Sequence, residues 1–172
     1  MDLALTPEQE MLKTAVRRFV QLEYPKDTLL QMAATGQSCP SEPWRKLADT
    51  GWLGIAIPQE YGGEGGSLTD AGGLFEELGR GPVPGPLVSS ALLGAFTVLA
   101  GGTEEQKQEW LPTLAKGDRS LVLAVTEADY GWDAIDVGLV ATKDGDGFSI
   151  NGAKSYVFDG VSATYFLCAA RA

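Results

Sequence analysis

The alternation of apolar and polar positions divides the chain into a long helical part and a shorter part rich in β-forming residues. Thr6-Pro7-Glu8-Gln9 has the form of a capping box, and the apolar stripe after it keeps three- and four-residue steps until Pro25. A helix is therefore predicted from Thr6 to the residues before Pro25. Start and stop signals predict two more helices, at 27–34 and 41–50.

The middle of the chain predicts an extended run, a glycine turn and more helices. Residues 52–57 form the short extended run, and the glycine-rich stretch 62–66 follows it. That stretch lacks both the GxGxxG order and the lysine of a P-loop, so it predicts a flexible turn and not a nucleotide site. Three helices are predicted after it: Ser67 to Gly79, a buried apolar helix over 87–100, and one from Thr103 that Pro112 breaks or restarts.

The character of the sequence changes after Lys116. The continuous apolar run 121–125 predicts a buried strand, and 164–171 predicts another. The turn signals at 144–147 and 151–152 are typical of links between antiparallel strands. The predicted class is therefore α+β. A sheet with so few strands would have unpaired edges. We therefore expect either that the sequence is a fragment or that another part of the protein covers those edges.

Composition excludes several classes of function. The chain has 172 residues, which is enough for one domain or for one domain plus part of a second. It contains 13 Lys+Arg and 23 Asp+Glu, which give a net charge of -10. This charge repels phosphate backbones and argues against nucleic acid as a partner. Histidine is absent, which removes Ser-His-Asp and Cys-His triads and the commonest metal ligand.

Cysteine usage and the longest apolar stretch bear on location. Cys39 and Cys168 lie far apart and form no CxxC pair, so reduced thiols are expected and no zinc site is predicted. No signal peptide is visible, and the stretch 87–100 falls short of the ~20 residues that a membrane span requires. A cytoplasmic protein without a membrane span is therefore predicted.

Two segments of the β-rich part resemble a known family. Val125-Thr126-Glu127-Ala128-Asp129-Tyr130-Gly131-Trp132-Asp133 resembles the Thr-Glu-Pro-x-Ala-Gly-Ser-Asp segment of the acyl-CoA dehydrogenases. Asn151-Gly152-Ala153-Lys154-Ser155-Tyr156-Val157-Phe158-Asp159 resembles that family's Asn-Gly-x-Lys-x-Trp-Ile-Thr-Asn segment, at the usual separation. The opening at 5–9, the loop at 54–63 and the segments 76–80 and 102–107 agree, so the resemblance covers nearly the whole chain.

The resemblance implies an all-helical amino-terminal domain, placed at 1–117, followed by part of a small antiparallel β-barrel domain at 118–172. The family's carboxy-terminal helical bundle, which carries its catalytic carboxylate, is absent from these residues. No catalytic residue is therefore assigned, and this chain alone is expected to be inactive.

By the same resemblance the parent protein would oxidise an acyl-CoA thioester to the 2,3-enoyl-CoA with FAD, as in fatty acid metabolism. It would pass electrons to an electron-transfer flavoprotein and form a homo- or hetero-oligomer. The implied cofactor-binding residues form two groups: Val125, Thr126, Gly131 and Trp132 in the first segment, and Tyr156, Val157 and Phe158 in the second.

Three substitutions leave a second interpretation open. Trp132 replaces a serine of the family pattern, Phe158 replaces a threonine or serine that bonds the flavin, and Asp129 brings a negative charge toward an anionic pyrophosphate. The alternative is a non-catalytic, non-flavin subunit of a hetero-oligomeric acyl-CoA dehydrogenase. From the residues themselves, Thr126 could equally be an ordinary strand residue. Glu127 and Asp133 are expected to be solvated or capping groups, and Lys154 an exposed strand lysine.

Overall fold

A computed structural model describes residues 4–36, 39, 41–128 and 136–172. Six α-helices and one π-helix come first among these residues: α1 Pro7–Glu23, α2 Lys26–Thr35, α3 Ser41–Asp49, α4 Leu68–Arg80, the π-helix Leu87–Gly94, α5 Ala95–Gly101 and α6 Glu104–Ala115. Four strands follow: β1 Leu121–Ala124, β2 Ala141–Asp144, β3 Gly147–Ile150 and β4 Tyr165–Cys168. The predicted α+β class is confirmed.

Helix starts follow the predicted capping signals. Thr6 accepts the N–H of Gln9, and the Gln9 side chain accepts the N–H of Thr6, so both bonds of the predicted capping box form. Ser67 and Thr103 begin α4 and α6 with the same reciprocal pair. These bonds satisfy N–H groups that a helix start leaves without partners, so three short motifs fix three helix boundaries.

The helical part packs around two clusters of apolar side chains. The first joins α1, α3, α4 and the π-helix and contains Val16, Leu47 and Leu74, none of them solvent-exposed. The second joins α5, α6 and the first strand and includes Leu111 and Leu121. Because β1 contributes to this second cluster, the β region is anchored directly on the helices.

Residues 52–57 are not extended, contrary to the sequence prediction. Trp52–Gly54 forms a 3₁₀ turn, and the glycine stretch folds back on the residues after it. Gly65 and Gly66 donate to the carbonyls of Ile57 and Ile55 at 2.9 and 2.7 Å. Bonds from the glycine loop that follows thus replace the sheet partners that a strand would need, and the predicted flexible turn is a packed one.

Two other predictions about the helices need correction. Helix α6 continues through Pro112, although proline removes one N–H donor, because Leu111, Leu114 and Ala115 on its buried side hold it against the second cluster. The predicted apolar helix over 87–100 is divided, with π geometry as far as Gly94 and α geometry from Ala95.

The strands form two separate pairs. Strands β2 and β3 are antiparallel around the predicted turn, in which Gly145 adopts a φ of 58°. Strands β1 and β4 pair in parallel, with Leu121 opposite Tyr165. Of the two pairs in the described residues, one therefore has the antiparallel arrangement implied by the resemblance, and the other is parallel because the long connection between β1 and β4 brings β4 back in the same direction.

The second predicted turn, Asn151-Gly152, follows β3 but does not lead into a strand. No residue in the described stretch 151–164 belongs to a strand. Tyr156 and Asp159 have φ values of 54° and 55°, in the left-handed region that interrupts extended backbone. The aromatic segment expected to be a strand is therefore an irregular segment that ends in a turn.

Candidate functional site

The segments that contain Thr126 and Tyr156 lie side by side. Val125 and Thr126 directly follow β1, and the N–H of Ser155 donates to the Thr126 carbonyl at 2.8 Å. Lys154 Nζ donates to the Val125 carbonyl at 3.0 Å. The two stretches singled out by the resemblance therefore meet at one place, although 29 positions separate Lys154 from Val125.

The predicted cofactor-binding residues differ in exposure at this place. Val125, Thr126 and Val157 are half-buried. Tyr156 and Phe158 are 76% and 75% exposed and present large apolar surfaces. Gly131 and Trp132 lie outside the described residues, as do Asp129 and Asp133. The structure thus brings five of the seven predicted residues into neighbouring segments, and their cofactor role stays a prediction.

The hydrogen-bonding capacity of the two segments is unequal. Among the residues the structure describes, none donates to or accepts from the Thr126 hydroxyl. Phe158 has no polar side-chain atom, so it can offer only an apolar face. The Thr126 side therefore has polar capacity for a ligand, and the Tyr156 to Phe158 side offers apolar contact area together with the Tyr156 hydroxyl.

Backbone strain is concentrated in the second segment. Tyr156 and Asp159 are the non-glycine residues with positive φ in the described part of the chain. Such a backbone costs about 1–3 kcal/mol per residue and is common at ligand-binding sites, where surrounding contacts impose it. One such contact is visible: the buried Ser89 of the π-helix donates its hydroxyl to Asp159 Oδ2 at 2.5 Å.

A buried ion pair, which was not predicted, lies where the Thr126 and Tyr156 segments meet. Lys154 Nζ lies 2.5 Å from Glu127 Oε1, and the two side chains are only 6% and 9% exposed. Glu127 also accepts the N–H groups of Gly138 and Leu139, each at 3.0 Å. The expectation of an exposed Lys154 is therefore wrong. Of the two roles expected for Glu127, solvated or capping, the structure contradicts the solvated one, whereas the side chain does accept backbone N–H groups.

The ion pair changes the chemistry available to Glu127. The hydrogen bond from Lys154 is the largest influence and holds the pKa of Glu127 below its usual value, with help from the two backbone N–H groups against the effect of burial. A carboxylate held in its charged form by three donors is a poor proton acceptor. The sequence signal that could have revealed the pair is the opposite charge of the two residues, one in each of the two adjoining segments.

Other candidate chemistry is limited in the described residues. They contain no group of three or more His, Cys, Asp or Glu side chains arranged to hold a metal ion. The buried carboxylate of Glu77 is paired with Arg17 and Arg80, far along the chain from the two segments. Within the described ranges, no helix has the length and apolar character to cross a bilayer.

Comparisons with known proteins agree with the residues that suggested the family. Residues 6–118 match the family model described as Acyl-CoA dehydrogenase, N-terminal domain. A short-chain specific acyl-CoA dehydrogenase of Clostridium acetobutylicum is 35% identical over 169 residues, which is 97% of this chain and 44% of that protein.

Solved structures show the same relationship. The butyryl-CoA dehydrogenase of Megasphaera elsdenii matches 98% of this chain and 45% of its own, with a TM-score of 0.82 at 26% identity. The ChsE4-ChsE5 complex from Mycobacterium tuberculosis matches 98% of this chain and 43% of its own, with a TM-score of 0.79 at 28% identity.

The chain spans less than half the length of the curated relatives it matches, 41% and 44% for two of them. The agreement nevertheless extends from the first helix into the β region, since more than nine-tenths of this chain is covered in each case. The chain belongs to the acyl-CoA dehydrogenase family.

Proposed function

We propose that this chain forms the helical and β portions of an FAD-dependent acyl-CoA dehydrogenase. The protein that contains it would oxidise an acyl-CoA thioester to the 2,3-enoyl-CoA and deliver electrons to an electron-transfer flavoprotein. A bound flavin supplies the hydride-accepting chemistry of such a reaction. A cytoplasmic location, the division at 117/118 and an oligomeric assembly are parts of the same proposal.

The observation that carries the proposal is the contact between the Thr126 and Tyr156 segments. One side has the Thr126 hydroxyl and the end of a buried strand, and the other has two aromatic side chains that are mostly exposed. A planar, partly polar ring needs a flat apolar face together with a few fixed hydrogen-bonding groups. The described residues of the two segments fit that requirement.

The chain's own residues would bind and orient in this arrangement. Thr126 and the backbone near Val125 would hydrogen-bond the ring edge, and Tyr156, Val157 and Phe158 would cover one face and exclude water. Gly131 and Trp132 are proposed to lie near the cofactor on the family pattern alone. Since Glu127 is held as a paired carboxylate by Lys154, proton abstraction from the substrate is assigned to no residue of this chain.

The visible absorption spectrum of the purified full-length protein tests the proposal. The expected result is the yellow absorbance of oxidised flavin, present on isolation or gained on adding FAD. A colourless protein that leaves the spectrum of added FAD unchanged would refute a flavin-binding role.

One observation favours a second candidate, a non-catalytic subunit of a hetero-oligomeric acyl-CoA dehydrogenase. Phe158 cannot supply the hydroxyl that the family pattern places there, so the chain lacks one donor toward the flavin. The ChsE4-ChsE5 structure is, by its description, a complex of two named components. A colourless chain that copurifies with a second, flavin-carrying chain would support this alternative.

A further inference from the structure

The buried pair of Lys154 and Glu127 joins backbone from three separate stretches of the β region. Lys154 Nζ reaches the Val125 carbonyl at 3.0 Å and the Glu127 carboxylate at 2.5 Å. Glu127 in turn accepts the N–H groups of Gly138 and Leu139. The pair therefore connects the end of β1, the residues before β2, and the start of the irregular segment that carries Tyr156.

The position of the pair determines the spacing of the proposed flavin wall. Lys154 and Ser155 are adjacent, and they bond the carbonyls of two adjacent residues of the other segment, Lys154 Nζ to Val125 and Ser155 N–H to Thr126. These two bonds fix both the separation and the register of the segments. Tyr156 comes next in the chain, so its placement depends directly on that register.

Burial explains why this pair has a strong effect on geometry. The side chains are 6% and 9% exposed, so water cannot replace a lost partner. Removing Lys154 would leave the Glu127 charge buried with two backbone N–H donors but no ionic partner, and the backbone would move to admit water. A solvated pair on the surface would have no such effect.

We infer that Lys154 and Glu127 are positioning residues, which hold the Thr126 strand end and the Tyr156 segment at the spacing that the cofactor requires. This inference rests on the proposed function, because it assigns the pair a role in flavin binding. Neither side chain contacts the cofactor in this proposal. Their effect is transmitted through the Val125 carbonyl and the Ser155 N–H.

The test compares variants of the full-length protein. Lys154→Met keeps much of the side-chain length and removes the charge and the donors, while Lys154→Arg keeps the charge. Lys143→Met makes the same change at an exposed position of β2 and is the matched control. The readouts are the dissociation constant for FAD, the visible circular dichroism of the bound flavin, and hydrogen exchange of the Ser155 amide without FAD.

The expected result for Lys154→Met is a dissociation constant for FAD raised about tenfold or more, the size of loss seen at metal sites when a residue that orients a ligand is removed. The visible circular dichroism should change, and the Ser155 amide should exchange faster. Lys154→Arg should recover part of the affinity, and Lys143→Met should match the wild type. If Lys154→Met does not fold, Glu127→Gln replaces it, because the amide retains an acceptor and the shape of the side chain.

The possible outcomes separate the two proposals. Wild-type protein that binds no FAD overturns the proposed function and this inference with it. Wild-type protein that binds FAD, with Lys154→Met and Glu127→Gln binding equally well, overturns only the inference. Faster exchange at Ser155 with unchanged affinity and an unchanged flavin spectrum shows a purely structural pair and also overturns it.

Discussion

Replacing Glu77 with glutamine should selectively weaken the helical part of the molecule. The Glu77 side chain is fully buried on α4, and Arg17 of α1 donates to both of its oxygens at 2.7 and 3.0 Å. Arg80 donates to it at 3.1 Å, and Lys13 lies 3.8 Å away. The charged carboxylate thus links α1 to α4 through bonds that an amide cannot reproduce.

The size of the effect follows from the pKa of Glu77. The hydrogen bonds from Arg17 are the largest cause, and together with the nearby cations they lower the pKa from 4.5 to about 2 despite burial. A shift of that size corresponds to about 3 kcal/mol of stability at neutral pH. Because Arg17 and Arg80 are more than half exposed and water screens them, we expect Glu77→Gln to lose about 2–3 kcal/mol.

The assay is urea unfolding of the chain, followed by circular dichroism as a function of pH. A carboxyl with a lowered folded-state pKa stabilises the protein fully above its unfolded pKa near 4.5 and loses that contribution as the pH falls toward 2. The difference between wild type and Glu77→Gln should therefore be largest at neutral pH and shrink below pH ~4.5.

Glu76→Gln is the matched control for Glu77→Gln. Glu76 is the preceding residue on α4, carries the same charge and also pairs with Lys13, but its side chain is 56% exposed. It should lose less than about 1 kcal/mol. Equal losses for the two variants, or a Glu77→Gln loss that does not change between neutral pH and pH ~2, would refute the reasoning.

Three further predictions concern the packing of the chain and its activity. Gly94→Ala should lower the free energy of unfolding in urea by about 3 kcal/mol, because the added Cβ would lie 2.1 Å from the Leu121 carbonyl oxygen. Gly72→Ala is the control: it lies on an exposed face of α4 with no atom within 4 Å of the added Cβ, so it should raise that free energy by up to about 1 kcal/mol. Equal effects of the two changes would contradict this prediction. Ser89→Ala should lose about 1 kcal/mol and speed amide exchange around Asp159, since it removes the hydroxyl bonded to that carboxylate; unchanged exchange would show that the bond does not hold the turn. The 172-residue chain alone should give no turnover with acyl-CoA and an artificial electron acceptor above a blank, and measurable turnover would refute the assignment of proton abstraction outside it.

Local sequence signals predicted the helical part because the interactions behind them are local. The capping boxes at Thr6, Ser67 and Thr103 join residues three positions apart, and each helix begins where its box requires. The turn at Gly145 was predictable for the same reason, since a two-residue link with a positive φ strongly favours glycine.

Features that depend on distant residues were not predictable from the same signals. Large apolar residues recur at every second position, at Leu53, Ile55 and Ile57, which suits a strand, but backbone bonds from the glycine stretch create a compact turn there. The parallel pairing of β1 with β4 depends on a connection of about forty residues. Neither arrangement leaves a periodic pattern in the chain.

The candidate site was predictable in part, and the part that failed involves charge. The resemblance identified both adjoining segments, but it gave no reason to place Glu127 and Lys154 together, 27 positions apart and buried. Charged residues are usually exposed, so exposure was the natural expectation for each residue considered alone. Their pairing is visible only when the two segments are considered as neighbours.

Amide hydrogen exchange of the full-length protein, measured with and without FAD, tests the central claim most directly. Added FAD is expected to slow exchange in two stretches, at residues 125–127 and 155–158, and to do so more strongly there than in helices α1 to α4. Protection elsewhere, with both stretches unchanged, would contradict the claim that these neighbouring segments form the wall of a flavin site.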